Sequence, residues 1–375
     1  MTLTFTDEQE ELRASLRRFL AEKSPSAAVR RAMESEEGHD PAVWRQMADQ
    51  LGLQGIAIAE EHGGAGFGPV ELGIVLEEMG RTLLPTPFFA TVALAGQALT
   101  ASGDEDARAR WLPGIADGSL TATLAVSEES GSWSLDDVAA TAVRAGDGWA
   151  VSGCKMFVVD GDSADLLLVV ARAGDGLGLF AVEGGADGVG RTRLDTLDPT
   201  RRLGRVELTA APALPVGTPG DSRAFLQRAL DLAVVALAAE QVGGAAACLD
   251  LAVEYAKIRV QFGRPIGSFQ AIKHKCADML LEVESARSAA YHAASVAAAP
   301  PGDDTGELPV AAALAGAYCS VAYTHAAKEN VQIHGGIGYT WEHDAHLYLK
   351  RAKSAELLLG APVRHRARLA DLVGI

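Results

Sequence analysis

The feature that most constrains this chain is a double change of hydrophobic period. Residues 1–120 read mainly as helix: Phe5, Leu12, Leu16, Phe19 and Leu20 recur at helical spacing, and Thr6 ahead of "DEQEE" makes a capping start. From about 121 to 220 the period shortens. "TATLAVSEE", "GWAVSGCKMFVVDG", "ADLLLVVARAG", "GLGLFAVEGG" and "RLGRVELTA" are short β-branched runs parted by Gly, Asp and Pro, the spacing of an antiparallel barrel or sandwich. From about 221 to 375 the helical period returns, with helices expected over about Asp221–Val260, Ser268–Ala298 and Glu307–His334. A Pro/Gly/Asp loop, "APPGDDTGELP" (299–309), separates the second from the third, and a further helix follows "HGGIGYTWEHDAH". The chain is therefore read as α+β: an N-terminal helical domain (1–120), a central antiparallel β-domain (121–220) and a C-terminal helical bundle (221–375).

Composition narrows the function classes. Thirty-three basic residues against 49 acidic give a net charge of −16, which repels nucleic-acid backbones and anionic membranes. A hydrophobic content of 48% excludes a disordered chain. The most apolar helical stretch, Leu226–Ala247, is broken by Asp231, Glu240 and Gln241, so it is expected to be a core helix and to fall short of a membrane span. Its small residues (Ala233, Ala236, Ala238, Ala239, Gly243, Gly244, Ala245) suit close helix packing rather than a roomy cavity. The N-terminus is amphipathic and carries acids, unlike a secretory signal. Cys154, Cys248, Cys276 and Cys319 are widely spaced with no CxxC pair. They read as buried, reduced thiols of a cytoplasmic protein, not a thiolate zinc site.

Two clusters have bland readings. "HGGAGFGP" (62–69) lacks the GxGxxG order and a surrounding βαβ unit, so it is a helix-entry turn. "WEHDAH" (341–346) sets His343, Asp344 and His346 near His334, but no HExxH pattern or carboxylate cluster supports a metal, and none is expected. The densest signal is "RVQFGRPIGSFQAIKH" (259–274), which gathers cations, aromatics and glycines at a turn between two long helices. Such a turn seats an anion on backbone N–H groups and the helix dipole, or simply joins two helices beside acidic neighbours.

That segment occurs in order with "AEEHGGAGFGPVELGIVLEEMGR", "GWAVSGCKMFVVDGDSADLLLVVAR" and "VQIHGGIGYTWEHDAHLYLKRAK". In this order and spacing the chain resembles the acyl-CoA dehydrogenases nearly end to end. The resemblance implies an N-terminal helical domain, a central β-domain, a C-terminal four-helix bundle and non-covalent FAD at a subunit interface. It implies α,β-desaturation of an acyl-CoA thioester, in which a carboxylate takes the α-proton and the β-hydride passes to the flavin, with electron-transfer flavoprotein or a similar acceptor downstream. It assigns Arg259, Phe262, Gln270, Gln332, Gly335 and Gly336 to the flavin of a neighbouring subunit. Within the subunit, the loop before the flavin reads "SEESGSWSLDD" (127–137), keeping Ser127 and Glu128. Phe157 keeps the ring-stacking position, and Val159 stands where a Thr hydroxyl is usual.

The departure lies in the base. The two positions at which family members carry the catalytic Glu read Leu359 (followed by Gly360 and Ala361) and Ala233, neither able to accept a proton. Glu240 lies seven residues after Ala233, about 10 Å along the helix at its rise per residue, and is the remaining candidate base beside a structural reading; Asp231 faces elsewhere. Backbone at Leu359 and Gly360 retains a donor for the thioester carbonyl. This pattern resembles the base-lacking subunits of heteromeric members, notably the actinobacterial sterol-side-chain type, and implies a homologous partner subunit. The alternatives are a homo-oligomer using Glu240, and a fold-retaining protein without oxidase chemistry that carries out a base-free elimination on a CoA thioester or serves as a structural partner.

Overall fold

The computed structural model describes residues 5–299 and 306–375, so most of the expected "APPGDDTGELP" loop lies outside the described residues. Helices come first: α1 (Asp7–Lys23), α2 (Ser26–Glu34), α3 (Pro41–Asp49), α4 (Pro69–Thr82), α5 (Gln97–Ser102) and α6 (Glu105–Ala116). Seven strands follow: β1 (Ala122–Ala125), β2 (Thr141–Ala145), β3 (Gly148–Val159), β4 (Leu166–Ala173), β5 (Gly176–Glu183), β6 (Val189–Arg193) and β7 (Leu203–Gly220). Next come α7 (Arg223–Ile258), the short strands β8 (Val260–Gln261) and β9 (Arg264–Pro265), and helices α8 (Gln270–Ala297), α9 (Glu307–His334), α10 (Ala345–Leu357) and α11 (Pro362–Val373). Local chemistry sets several ends. Thr6 and Gln9 form a reciprocal capping box at α1, Asp40 caps α3 ahead of Pro41, and α9 stops at Gly335, whose φ of 64° a Cβ would oppose.

The chain divides into two compact units. One gathers the residues up to Arg31, Pro69–Leu84 and Val234–Ile375; the other gathers Ala32–Gly68 and Pro85–Ala233. In the first, α1 packs on α4, α4 on α8, and α9 on α8, α10 and α11. Small residues of α7 serve close packing, as expected. A Cβ on Gly243 would come within 1.8 Å of the Glu77 carbonyl, and one on Gly244 within 2.4 Å of the Tyr323 ring. Buried acids of α4 are paired: Arg17 reaches Glu78 at 2.6 Å, while Tyr291 donates to Glu77 at 2.7 Å. One expectation needs correcting. By length and apolarity α7 would suffice to cross a bilayer, since the charges that interrupt it are too few to lower its mean hydropathy enough. However, 89% of its most apolar window is buried within the protein, as in a core helix.

The second unit carries the sheet. β4, β2, β3, β7 and β5 pair in a closed ring, with β1 added to β4 and β6 to β7. The sheet is mixed rather than wholly antiparallel: β1 and β2 both run parallel to β4. The β2–β3 hairpin supplies one reversal and the β3–β4 connection a second, which returns β4 to the direction of β1. β4, read as an apolar run, is buried along nearly its whole length, as a strand covered on both faces must be. Val151, Val158, Leu167, Val169, Phe180, Val182 and Val206 fill the core.

Candidate functional site

In the β-containing unit the site begins with a bulge. β3 pairs with β7, and its register shifts between Lys155 and Val158. Phe157 sits in that shift with φ at 57°, a strained region for an aromatic residue, and its ring is partly exposed. Bulges re-aim side chains in this way, and this one offers an aromatic face outward. Val159, two residues on, points inward and is buried; its carbonyl accepts from Thr123 Oγ1 at 2.6 Å.

A buried ion pair fixes the loop beside Phe157. Lys155 has no exposed surface, and its Nζ donates to Glu128 Oε1 at 2.8 Å and to the Val126 carbonyl at 3.1 Å. The Glu128 carboxylate also accepts from the amides of Ala139 and Ala140. Burial alone would raise the Glu128 carboxyl, but Lys155 and these amides outweigh it and hold it below the usual carboxylate range. Burial lowers Lys155, and Glu128 restores part of the loss. Ser127 is buried and takes the Met156 N–H on its carbonyl at 2.9 Å. The loop 127–137 and the bulge are thus one rigid piece. Sequence reading names Ser127 and Phe157 but not Lys155. A lone lysine between apolar residues of a buried strand was the available signal.

In the helical unit the two remaining segments come together. β8 and β9 form a hairpin whose central residues, Phe262 and Gly263, both have positive φ (55° and 77°), the pattern of a tight I′ turn. Phe262 stands 91% exposed at the tip. Arg264 lies 4.2 Å over the Phe269 ring, whereas the exposed Arg259 side chain has no partner among the described residues. Gln270 opens α8 on the surface. One turn before Arg259, Tyr255 stacks on His334 at 4.2 Å, and His334 meets His343 at 4.1 Å. Burial lowers both imidazoles and favours their neutral form. This stack sets exposed Gln332, Gly335 and Gly336 beside the end of α7 that carries Arg259. A Cβ at either glycine would meet only open space, so their backbone stays accessible.

No carboxylate stands at the two expected base positions. Ala233 is fully buried, and Leu359 is buried with φ at 61°. No acceptor among the described residues takes the Leu359 N–H, and Gly360 follows with φ at 113°. Glu240 is buried on α7, where its Oε1 accepts from Arg351 Nη1 of α10 at 2.9 Å. The Arg351 guanidinium thus occupies that carboxylate oxygen. Asp231, also buried, accepts from Gln227 at 3.2 Å.

The histidines of "WEHDAH" have structural duties: His343 Nδ1 accepts from the Ala345 amide, and His346 meets the Trp341 ring edge-on. All four cysteines are free. Cys248 and Cys319 are buried, and burial pushes their thiols up, Cys319 to about 12. Cys154 and Cys276 are only half-buried, correcting the expectation that all four are core thiols; each lies where its element faces outward.

Comparison with known proteins bears on these surfaces. Residues 6–119 match the family profile described as "Acyl-CoA dehydrogenase, N-terminal domain", and residues 223–373 match "Acyl-CoA dehydrogenase, C-terminal domain". The Mycobacterium tuberculosis acyl-CoA dehydrogenase IpdE2 is 38% identical over 372 residues, covering 99% of both chains. Among solved structures, a variant of the Tcur3481–Tcur3483 steroid ACAD superposes with a TM-score of 0.88 at 34% identity, covering 98% of each chain. The ChsE4–ChsE5 complex from Mycobacterium tuberculosis gives a TM-score of 0.90 at 29% identity, covering 100% of this chain and 99% of that one.

Proposed function

The chain belongs to the acyl-CoA dehydrogenase family, FAD-dependent oxidoreductases acting on acyl-CoA, and from that premise we propose that it works as one subunit of a heteromeric dehydrogenase. The substrate class is a CoA thioester with a steroid-derived acyl group, desaturated between the α and β carbons. The observation that carries this reading is an asymmetry. The surface expected to serve a neighbour's flavin is intact, while both base positions carry hydrocarbon, at Ala233 and Leu359. Two relatives whose printed names join two proteins, Tcur3481–Tcur3483 and ChsE4–ChsE5, support it.

The residues present fit a flavin dinucleotide. Arg259, lacking a partner of its own, and the open backbone of Gly335 and Gly336 suit a diphosphate. Phe157, thrust outward by its bulge, suits the flat ring of the chain's own flavin, a different flavin from the neighbour's that Arg259 and the two glycines would serve. When bound, FAD supplies the hydride acceptor. The chain's own contribution is the neighbour-facing surface that completes the partner's flavin site. The Leu359 N–H would serve only a thioester in this chain's own cleft, where positions 359 and 233 offer no base; in the partner's cleft the carbonyl is held by the partner's own backbone. Proton acceptance falls to a carboxylate of the homologous subunit, because Glu240 is engaged by Arg351. Electron-transfer flavoprotein or a similar protein takes the electrons.

Paired substitutions test this. With the two subunits co-purified, replacing the partner's carboxylate at the position matching Leu359 or Ala233 by Gln should lower acyl-CoA turnover by on the order of 100-fold or more. Glu240→Gln in this chain lowers stability by stranding Arg351, but turnover per flavin of the folded complex should stay within a few-fold. The reverse outcome, turnover lost with Glu240→Gln and kept in the partner variant, refutes the proposal.

A further inference from the structure

Away from these surfaces, in the β-containing unit, three side chains converge in a way the reaction does not use. The tight turn Glu60–His62 lies against the start of α6, and Glu61, His62 and Glu105 bring one ligand atom each within 4.8 Å of the others. His62 Nε2 stands 3.8 Å from Glu61 Oε1 and 3.7 Å from Glu105 Oε2. Its side chain is only 9% exposed, and Nε2 has no hydrogen-bond partner. An imidazole nitrogen buried in that state costs about 1–3 kcal/mol. Protonation would not remove the cost by hydrogen bonding, since both carboxylate oxygens lie beyond hydrogen-bond reach.

The separations sit above those around a shared ion, and small rotations of the two exposed glutamates close the gap. Tetrahedral zinc bonds of about 2.0–2.2 Å place neighbouring ligand atoms ~3.3–3.6 Å apart. We propose that Glu61, His62 and Glu105 form a binding site for a divalent transition-metal ion of the zinc type, which pins the turn to the first residue of α6. One imidazole nitrogen with two carboxylate oxygens suits zinc better than magnesium or calcium, which prefer all-oxygen shells. The cage is built. Gly63 closes the turn with φ at 82°, and Gly64 packs so tightly that a Cβ would come within 2.1 Å of the Ile58 carbonyl. Arg108 holds the other oxygen of Glu105, leaving Oε2 directed at His62. Asp104 caps α6 through the Ala107 amide and accepts from the Gly217 amide at 2.8 Å, fixing the helix start. Both glutamates are largely exposed, so water completes the coordination.

The test uses the purified full chain, stripped with a chelator and titrated with zinc chloride in a calorimeter, with thermal melts in parallel. The expected result is one equivalent of zinc per chain and a melting temperature that rises with zinc. Glu61→Ala, at a largely exposed side chain, and His62→Ala should each weaken binding by at least the ~10–100-fold that loss of an outer partner costs a metal site. They should also abolish the thermal shift. Less than half an equivalent bound, magnesium binding as tightly as zinc, or unchanged affinity in Glu61→Ala would each overturn the proposal.

Discussion

Replacing Glu240 by Ala should destabilise the protein by about 3–5 kcal/mol, the usual cost of removing one member of a buried ion pair. Its partner Arg351 is equally buried, and the two meet at 2.9 Å between α7 and α10. The guanidinium cannot shed its charge at any ordinary pH, so the loss should be nearly constant from pH 6 to 9. Replacing both residues by apolar ones of similar volume should restore most of the stability, because the pair's desolvation cost disappears with it. Chemical denaturation of the single and double variants measures this. A single-variant loss within about 0.5 kcal/mol, the range of ordinary surface changes, would mean that Glu240 does not hold α10 and would return it to consideration as a base.

A loss of similar origin but different pH behaviour is expected at the bulge. Glu128→Ala strands Lys155, which is wholly inside the sheet unit. The initial cost is again about 3–5 kcal/mol. Lysine, unlike arginine, can escape by losing its proton. Burial already lowers Lys155, and the variant removes the carboxylate that opposes the shift. Between the depressed folded pKa and the ordinary unfolded one, the unfolded chain binds more protons, so stability rises with pH. The deficit of the variant should therefore shrink from pH 7 towards pH 10. In the wild type the depressed Glu128 carboxyl contributes stability above its ordinary range, lost as pH falls through the folded value. Because the pair braces Phe157, the variant should also retain less flavin. A pH-independent deficit with full flavin content would contradict this account.

The two pairs mark the boundary of what the chain's letters reveal. α9 was readable to the residue, since Gly306 precedes Glu307 and Gly335 follows His334, and both glycines adopt positive φ. The capping box at Thr6 was readable for the same reason: its chemistry is complete within four residues. The bulge at Phe157 was not. The shift in β3 exists only against β7, a partner the local sequence does not name. Glu240 and Arg351 are 111 positions apart, beyond any periodicity argument. The parallel pairing of β1 with β4 failed for a like reason, since hairpin-rich composition does not say which strands close the ring. The residues assigned to the flavin came from resemblance rather than from spacing. What the structure adds is the stack of Tyr255 on His334, which sets two distant segments side by side.

The central claim is that this polypeptide supplies part of a flavin site whose proton acceptor belongs to another chain. The visible absorbance spectrum tests it most directly, recorded on the chain purified alone and on the chain co-purified with a homologous subunit, before and after adding acyl-CoA. The account predicts substoichiometric flavin and no bleaching for the chain alone, and one flavin per completed site, bleached by substrate, for the pair. Full flavin occupancy with bleaching by the chain alone would contradict it.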